Sequence, residues 1–506
     1  MIINNKILGN NLYFRCLDKN DVSQEYCAWL NDPKVNKYLD TKKATIQEME
    51  DYINKKNEKS DCLFLGIFIN DSNKHIGNLK LELINTQNKT AEFSIMIGDK
   101  SYWGKGHGTE ATKMICAYAF KHMQLKKINL GTFIKNEKAM SIYRKLGFKT
   151  KKIIRNYKEV NSIPHDSAFM EMSKQEKDIC FLIVGCGSIG KRHIRNLLYL
   201  GYKNIVACET SKDVLQEIKT EFEDSVKVSD SFDEALAMSD AVLICTPNHL
   251  HTKFVLDALK KNKHVFVEKP LAHTLDDLDK VEKLINEKDV TFQVGFNLRH
   301  HLLLQKTKKL LDSGDIGKVL HATLDSGSYL PNWRPGKDYS KNYAAKESTG
   351  GGIIFENTHE LDYAEWFFGK PVSIYCSAKK ISDLDIETED TADIMLTTEL
   401  GIPITIHLDY LQEPSTRTFR IVGNKGILKG NLNNNTLETL KQTFTSFEQD
   451  ASVFDYNVTY VSEILEFINC IQEKKNPTTG FKEGLSSLKI ALAAKKSSAT
   501  HQELVL

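Results

Sequence analysis

Hydrophobic and polar positions fall into two kinds of pattern along this chain. In the first third, LFLGIFI (63–69), HIGNLKLELI (75–84) and AEFSIMIG (91–98) are apolar-rich runs with polar turns between them, which predicts successive strands. KINLGTF (127–133) predicts another strand, and NEKAMSIYRKLGFK (136–149) predicts a helix that stops at Gly147. Between them, Gly104, Gly106 and Gly108 precede a helical pattern whose apolar run begins with Thr109, Met114, Ala117 and Tyr118. From ICFLIVG (179–185) onward the pattern changes. Short, wholly apolar runs such as AVLI (241–244), HVFVE (264–268) and TFQVG (291–295) alternate with helical stretches. That alternation predicts a doubly wound parallel sheet with ligands at the carboxyl ends of its strands. Beyond it, KVLHATLDSG, TADIMLTTEL, IPITIHLDYL, RTFRIVG and GILKGNL read as strands, and the Asn-rich NLNNN run ending at Asn435 reads as a turn.

The polar stretch MSKQEKD (172–178) separates the two patterns. It predicts a first domain over 1–172, a linker over 173–178, a nucleotide-binding domain over 179–296 and a further domain over 297–506. The chain has 506 residues, about three folding units at ~150 residues each. Hydrophobic residues make up 41% and charged residues 26%, which excludes a largely disordered chain. Lys+Arg 68 against Asp+Glu 66 leaves +2, so no global field points to nucleic acid or membrane as a partner. The ten cysteines are scattered with no C-x-x-C pair, so neither a metal cage nor a disulfide framework is expected. The start lacks a basic and apolar leader, and no run approaches the ~18 apolar residues that span a bilayer. These features predict a reduced, soluble, cytoplasmic protein.

Glycines just before a helix free backbone N–H groups to approach an anion, and the helix N-terminus adds its positive end. Gly104, Gly106 and Gly108 fit a pyrophosphate cradle on that ground; a glycine-rich turn is the other reading. Strand, glycine turn, helix, strand and N-x-x-A-x-x-x-Y-x-K-L-G-F together resemble the GNAT acetyltransferase superfamily over roughly residues 8–172, including WLNDPKV (29–35). The branch resembled acetylates ribosomal-protein N-termini, polyamines and nucleotide-linked amino sugars. The resemblance implies acetyl-CoA, with Gly104, Lys105, Gly106, His107 and Gly108 wrapping its pyrophosphate and Asn136 meeting its arm. Trp103 stands where many members have Gln or Arg. By the same resemblance Tyr143 protonates the departing thiolate, which would otherwise reverse the reaction. Glu92 is a candidate base for the incoming ammonium; a solvated strand carboxylate is the competing reading.

In the second pattern, Gly185-x-Gly187-Ser188-Ile189-Gly190 follows an apolar strand and opens a helix. Glu209 ends the next strand about 19 residues after Gly190. Small residues permit the tight turn, the helix N-terminus meets a pyrophosphate, and the carboxylate binds the adenine-ribose 2′-OH. Glu209 would repel a 2′-phosphate, which favours NAD over NADP, with Lys212 nearby acting the other way.

The stretch Thr246-Pro247-Asn248-x-x-His251 and the motif Glu268-Lys269-Pro270 resemble the glucose–fructose oxidoreductase/inositol dehydrogenase/MocA (Gfo/Idh/MocA) family over roughly 178–500. The resemblance implies a Rossmann domain followed by an open antiparallel sheet used for substrate and oligomer contacts, in dimers or tetramers. It also implies that those motif residues line the cofactor. Lys269 then orients a substrate hydroxyl while His359 takes its proton, and Asp362 holds His359 or binds the sugar. His359 and Asp362 are three apart and share a helix face. The chain departs from the family's D-x-x-x-H pattern: Glu356 replaces Asp and stands one residue closer to His359. A cis bond before Pro270 is a further implication.

The segment YLPNWRPGKDYSKNYAAKESTGGG (329–352) is aromatic and basic without a helix or strand period. Trp333, Arg334, Tyr339 and Tyr343 could cover a sugar or reach a phosphate there, a packed loop being the other reading. Arg299 and His300 are candidates for lining the same cleft. Together these readings predict a bifunctional enzyme of nucleotide-linked amino-sugar biosynthesis, with protein or polyamine acetylation beside a free-sugar or inositol dehydrogenase, or a cofactor-sensing regulator, as alternatives.

Overall fold

The computed structural model describes residues 1, 3, 5–39, 43–160, 163–174, 178–441, 444–448 and 456–506. Residues 175–177 of the expected linker lie outside that set. The chain divides into two compact units: Met1–Asp178 with Tyr199–Tyr202, and Ile179–Leu198 with Lys203–Leu506.

The first unit holds an eight-stranded sheet. All five strand and helix runs expected between residues 63 and 149 form, as Cys62–Ile69, His75–Asn85, Thr90–Ile97, Lys127–Phe133 and the helix Glu137–Lys145. Thr90–Ile97 and Lys127–Phe133 run parallel, which requires a crossover, and the helix His107–Lys121 provides it. That helix packs through Ala111, Thr112, Ile115, Cys116 and Ala119, so the apolar run expected from Thr109, Met114, Ala117 and Tyr118 is corrected. Ala117 is exposed. The reason is physical: small residues such as Ala111, Thr112 and Ala119 let a helix approach a sheet closely while carrying little hydrophobic signal. The hairpin Lys149–Val160 with Ile163–Ser173 was not anticipated from its charge-rich sequence. Met172 and Ser173 belong to its second strand, so the polar stretch begins inside the sheet.

The second unit opens with six parallel strands. Numbered in chain order from Phe181–Val184, they lie 3-2-1-4-5-6. Phe181–Val184, Ile205–Cys208, Ala241–Ile244 and Phe292–Gly295 are buried at every position, which is why their sequences show no alternation. A nine-stranded sheet follows, antiparallel except that Val319–Gly327 pairs parallel with Pro403–Asp409. The Asn-rich run is the turn between Ile427–Asn431 and Thr436–Leu440. Two helices absent from the sequence reading, Asn457–Glu473 and Phe481–Thr500, return to the parallel sheet. Phe467 of the first is fully buried, its ring 5.8 Å from that of Phe266. Among the described residues no helix is long and apolar enough to cross a membrane.

Removing Phe467 leaves a cavity between helix and sheet. Phe467→Ala should cost about 3–5 kcal/mol in the unit that contains it, read as a lower denaturation midpoint while the midpoint of the first unit holds.

Candidate active sites

In the first unit the two parallel strands pair only at Thr90↔Lys127, Ala91↔Ile128 and Glu92↔Asn129, then part. Each keeps its other neighbour, so the wedge between Phe93–Ile97 and Leu130–Phe133 presents unpaired backbone groups to an extended ligand. At the wedge the loop before the crossover helix holds Gly104 at φ 75° and Gly106 at φ 86°, values that favour glycine. A Cβ at either would meet nothing within 4 Å, and Gly106 caps the helix without a side-chain bond. The N-terminal N–H groups of His107 and Gly108 are therefore open to an anion such as a pyrophosphate. The His107 ring lies against Tyr102 at 5.4 Å.

Tyr143 packs edge-on against Phe93 (6.4 Å) and Phe148 (5.7 Å). Burial pushes its hydroxyl up to about 12, so it holds its proton near neutrality. Glu92 is exposed on the opposite face of its strand from Phe93, in register with Glu82. Asn136 caps the helix Glu137–Lys145, its Oδ1 accepting from Ala139 N at 3.5 Å, a structural task not anticipated from its sequence.

In the second unit, Gly185 has φ 85°, and a Cβ there would come within 2.9 Å of the Cys245 backbone. A Cβ on Gly190 would meet Gly185 O at 2.2 Å, whereas Gly187 faces open space. Ser188 and Ile189 start the helix Ser188–Leu200. Glu209 turns back to the loop: Oε2 accepts from Cys186 N (2.9 Å), and Oε1 from Thr210 N (2.8 Å). Beside the loop Thr246 Oγ1 is buried with no partner. A close, uncluttered glycine turn, an orphaned hydroxyl and a carboxylate at the second strand's end fit a dinucleotide.

Two expected cofactor contacts prove to be braces. His251 is wholly buried, its ring nitrogens 2.8 Å from Pro270 O and 2.9 Å from Thr246 O, so it staples two strand-end loops together rather than facing a ligand. Asn248, following Pro247, donates to Gly350 O at 2.8 Å. Glu268 meets His193 Nε2 at 2.6 Å.

Lys269 precedes a cis peptide bond to Pro270, as the resemblance implied. Its Nζ donates to Glu356 O at 2.7 Å and lies 3.9 Å from Glu356 Oε2, which also accepts from Tyr343 OH at 3.0 Å. His359 lies on the helix Thr358–Phe368, separated at Asn357 from the short helix Ile353–Glu356. Its imidazole is held well below the usual histidine range by burial first, then by the charges of Lys269 and Arg417. It is therefore an uncharged base beside an ammonium.

One expected contact is corrected, and three further candidates are held by contacts within the protein. Asp362 does not hold His359: both its oxygens accept from Arg299, at 2.8 Å each. Arg299 is likewise paired with Asp362 through Nε and Nη2 and stacked over Trp366. Trp333 packs edge-on against buried Tyr410 at 5.3 Å and donates to Ser328 Oγ. Tyr339 OH accepts from Asp385 N at 3.1 Å. Both aromatics stabilise the loop, as a bulky side chain does when its polar tip finds an internal partner. Arg417, paired with Glu360 at 2.9 Å, was missed because an isolated arginine in a strand carries no local signal.

Family models match three stretches: the oxidoreductase family's NAD-binding Rossmann fold at 179–296, the Gfo/Idh/MocA C-terminal domain at 304–429, and the acetyltransferase (GNAT) domain at 11–149. An uncharacterized oxidoreductase, YrbE, of Bacillus subtilis is 28% identical over 346 residues, 64% of this chain and 95% of that protein. Myo-inositol 2-dehydrogenase of Thermotoga maritima is 26% identical over 329 residues, 62% and 95%. Among solved structures, the WlbA dehydrogenase from Bordetella pertussis in complex with NADH and UDP-GlcNAcA superposes with TM-score 0.55 at 24% identity, covering 65% of this chain and 99% of that one. Levoglucosan dehydrogenase in complex with NADH gives 0.60 at 19%, covering 65% and 99%.

A histidine whose folded value lies below its unfolded one stabilises fully only above the unfolded value, about 6.5, and loses that contribution as pH falls through it. His359 behaves so, and His301, pushed down to about 4 by burial, adds to it. The denaturation midpoint of the second unit should fall on acidification through about pH 6.5, and His359→Gln should flatten that dependence.

Proposed function

The chain belongs to two families at once, the GNAT acetyltransferases and the Gfo/Idh/MocA oxidoreductases, and on that premise we propose a bifunctional enzyme of nucleotide-linked amino-sugar metabolism. The observation that carries the oxidoreductase half is Lys269, held at the Glu356 carbonyl and carboxylate, with the buried His359 on the helix that follows, its imidazole kept uncharged by burial first and then by Lys269. Bound NAD supplies the hydride acceptor. Lys269 Nζ donates to the substrate hydroxyl oxygen, lowering the cost of its negative charge, and His359 accepts the hydroxyl proton as the carbon–oxygen double bond forms. Glu209 would set its charge against a 2′-phosphate, which favours NAD over NADP. In the other half, acetyl-CoA would supply the acetyl group. Glu92, on the opposite face of the strand, takes one proton from the incoming ammonium, and Tyr143 gives its proton to the departing thiolate and recovers one from the nitrogen that becomes the amide.

A sugar nucleotide is favoured as the shared scaffold because the two activities reside on one chain, and because the structure of WlbA, which has the same fold, is a complex with NADH and UDP-GlcNAcA. The inositol dehydrogenases among the relatives favour a second reading, a free polyol for the oxidoreductase half and an unrelated amine for the other. Tyr375 and Met395, exposed and in register on the nine-stranded sheet, offer a face for a dimer or tetramer.

Incubation with acetyl-CoA and a panel of nucleotide-linked amino sugars, followed by mass spectrometry, should yield one singly acetylated sugar. Acetylation of peptides or polyamines alone would overturn the shared scaffold. Lys269→Met and His359→Ala should each lower the dehydrogenase kcat by about 10²–10⁴-fold while acetyl transfer persists. Tyr143→Phe should do the reverse.

A further inference from the structure

We propose that Glu463 is a positioning residue for cofactor binding, retaining its carboxyl proton and directing it to Glu268, so that two glutamates share one buried site as an acid and a carboxylate. This rests on the reading of Glu268 as a cofactor contact.

Glu463 lies on the helix Asn457–Glu473, Glu268 ends the strand His264–Glu268, and His193 lies on the helix that follows the glycine loop. The three offer atoms within 4.8 Å of one another. Their exposures are 1%, 9% and 0%. His193 Nε2 is 2.6 Å from Glu268 Oε1, whereas both oxygens of Glu463 are buried without a partner. Two carboxylates this close and this dry do not both stay charged; one keeps its proton. The surroundings assign that proton to Glu463. Glu466 adds like charge, though it is itself held by His300 and Thr478. Arg192, stacked on Tyr460 at 4.5 Å, opposes with positive charge. Cys245 and Tyr460 are pushed up by burial and bring no charge. Burial, then Glu268, pushes the Glu463 carboxyl well up.

A divalent cation is the competing occupant, and two features speak against it. The 2.6 Å contact leaves no room for an ion between His193 and Glu268. His193 Nδ1 has no partner, whereas a metal-bound histidine has its second nitrogen held. With its proton on Nε2, His193 leaves only a lone pair unmatched. Glu268 is then fixed from one side by His193 and from the other by Glu463. Losing the Glu463 proton puts two like charges in that space and drives Glu268 from its place.

A glutamate raised in the folded state stabilises fully below its unfolded value, about 4.3, and loses that contribution as pH rises through the folded value. Glu463→Gln keeps the shape and cannot ionise. In the full chain, the midpoint of E463Q minus that of wild type should therefore grow as pH rises from about 6 to about 9. Over the same range, NAD⁺ affinity measured by calorimetry should fall several-fold in wild type and less in E463Q. A midpoint difference that is flat with pH, or stoichiometric metal in the purified wild type, overturns the retained proton. NAD⁺ affinities that track each other across pH overturn the positioning role. Unchanged affinity in Glu268→Gln overturns instead the reading of Glu268, whatever Glu463 does. Wild type also reports directly through the infrared C=O band of a buried protonated carboxyl, whose absence overturns the proposal even if E463Q does not fold.

Discussion

An ammonium group taken out of water has to be held by hydrogen bonds and opposite charge, and the Lys269 side chain is only 17% exposed. The solution lies in the pair of helices Ile353–Glu356 and Thr358–Phe368. Glu356 faces Lys269, Glu360 pairs with Arg417, and Asp362 pairs with Arg299. Three cations from three distant parts of the chain are thus each matched by a carboxylate from one short segment. His359, among those carboxylates in sequence, is left without a charged partner of its own and stays neutral. The segment anchors the cleft because it supplies the counter-charges; the histidine it also carries is kept neutral by burial first, then by the charges of Lys269 and Arg417.

This explains what could be read in advance and what could not. Gly185 and Gly190 were legible because the backbone allows nothing larger there, a constraint written into residue type. Lys269 was legible because a lysine at a strand end before Pro270 is local. The partners were not. Arg299 and Asp362 are joined across a sequence separation of 63, and no periodicity or motif marks such a pairing. Trp333 and Tyr339 stay open between two readings in the sequence for a related reason: an aromatic that packs with an internal hydrogen bond and one that awaits a sugar have the same composition around them. His251 looked like a ligand because it follows Thr246-Pro247-Asn248, yet a fully buried imidazole between two carbonyl oxygens serves to join loops. The helix Phe481–Thr500 carries little signal of its own, because much of its buried face is Gly484, Ser487, Ala491, Ala494 and Ser497, small residues with little hydrophobic contrast.

The acetyltransferase unit solves a different problem. It buries little charge where its ligand would lie; instead it withholds pairing. Strands that part after three registers, and a helix capped by a glycine without a side-chain bond, leave N–H groups unpaired at cost to the fold. Such groups suit an extended, phosphate-bearing ligand, which restores the missing hydrogen bonds. The wedge was invisible in the sequence because KINLGTF and AEFSIMIG read as strands along their whole length, and divergence belongs to the pair rather than to either strand.

Both sites nevertheless reach their protonation states by the same means. A base must be without its proton before the reaction, and an acid must still have one. Desolvation disfavours whichever form is charged, so it strips a buried histidine and caps a buried tyrosine. His359 and Tyr143 are pushed in opposite directions by one cause, and each is pushed toward its proposed role. The difference lies in reinforcement. His359 has Lys269 and Arg417 to hold it neutral, whereas Tyr143 depends on burial first, with Phe93 and Phe148 packed against it. Around Lys269 charge therefore reinforces burial and a single substitution unbalances it, whereas beside Tyr143 packing carries the effect and loses it only gradually as water enters.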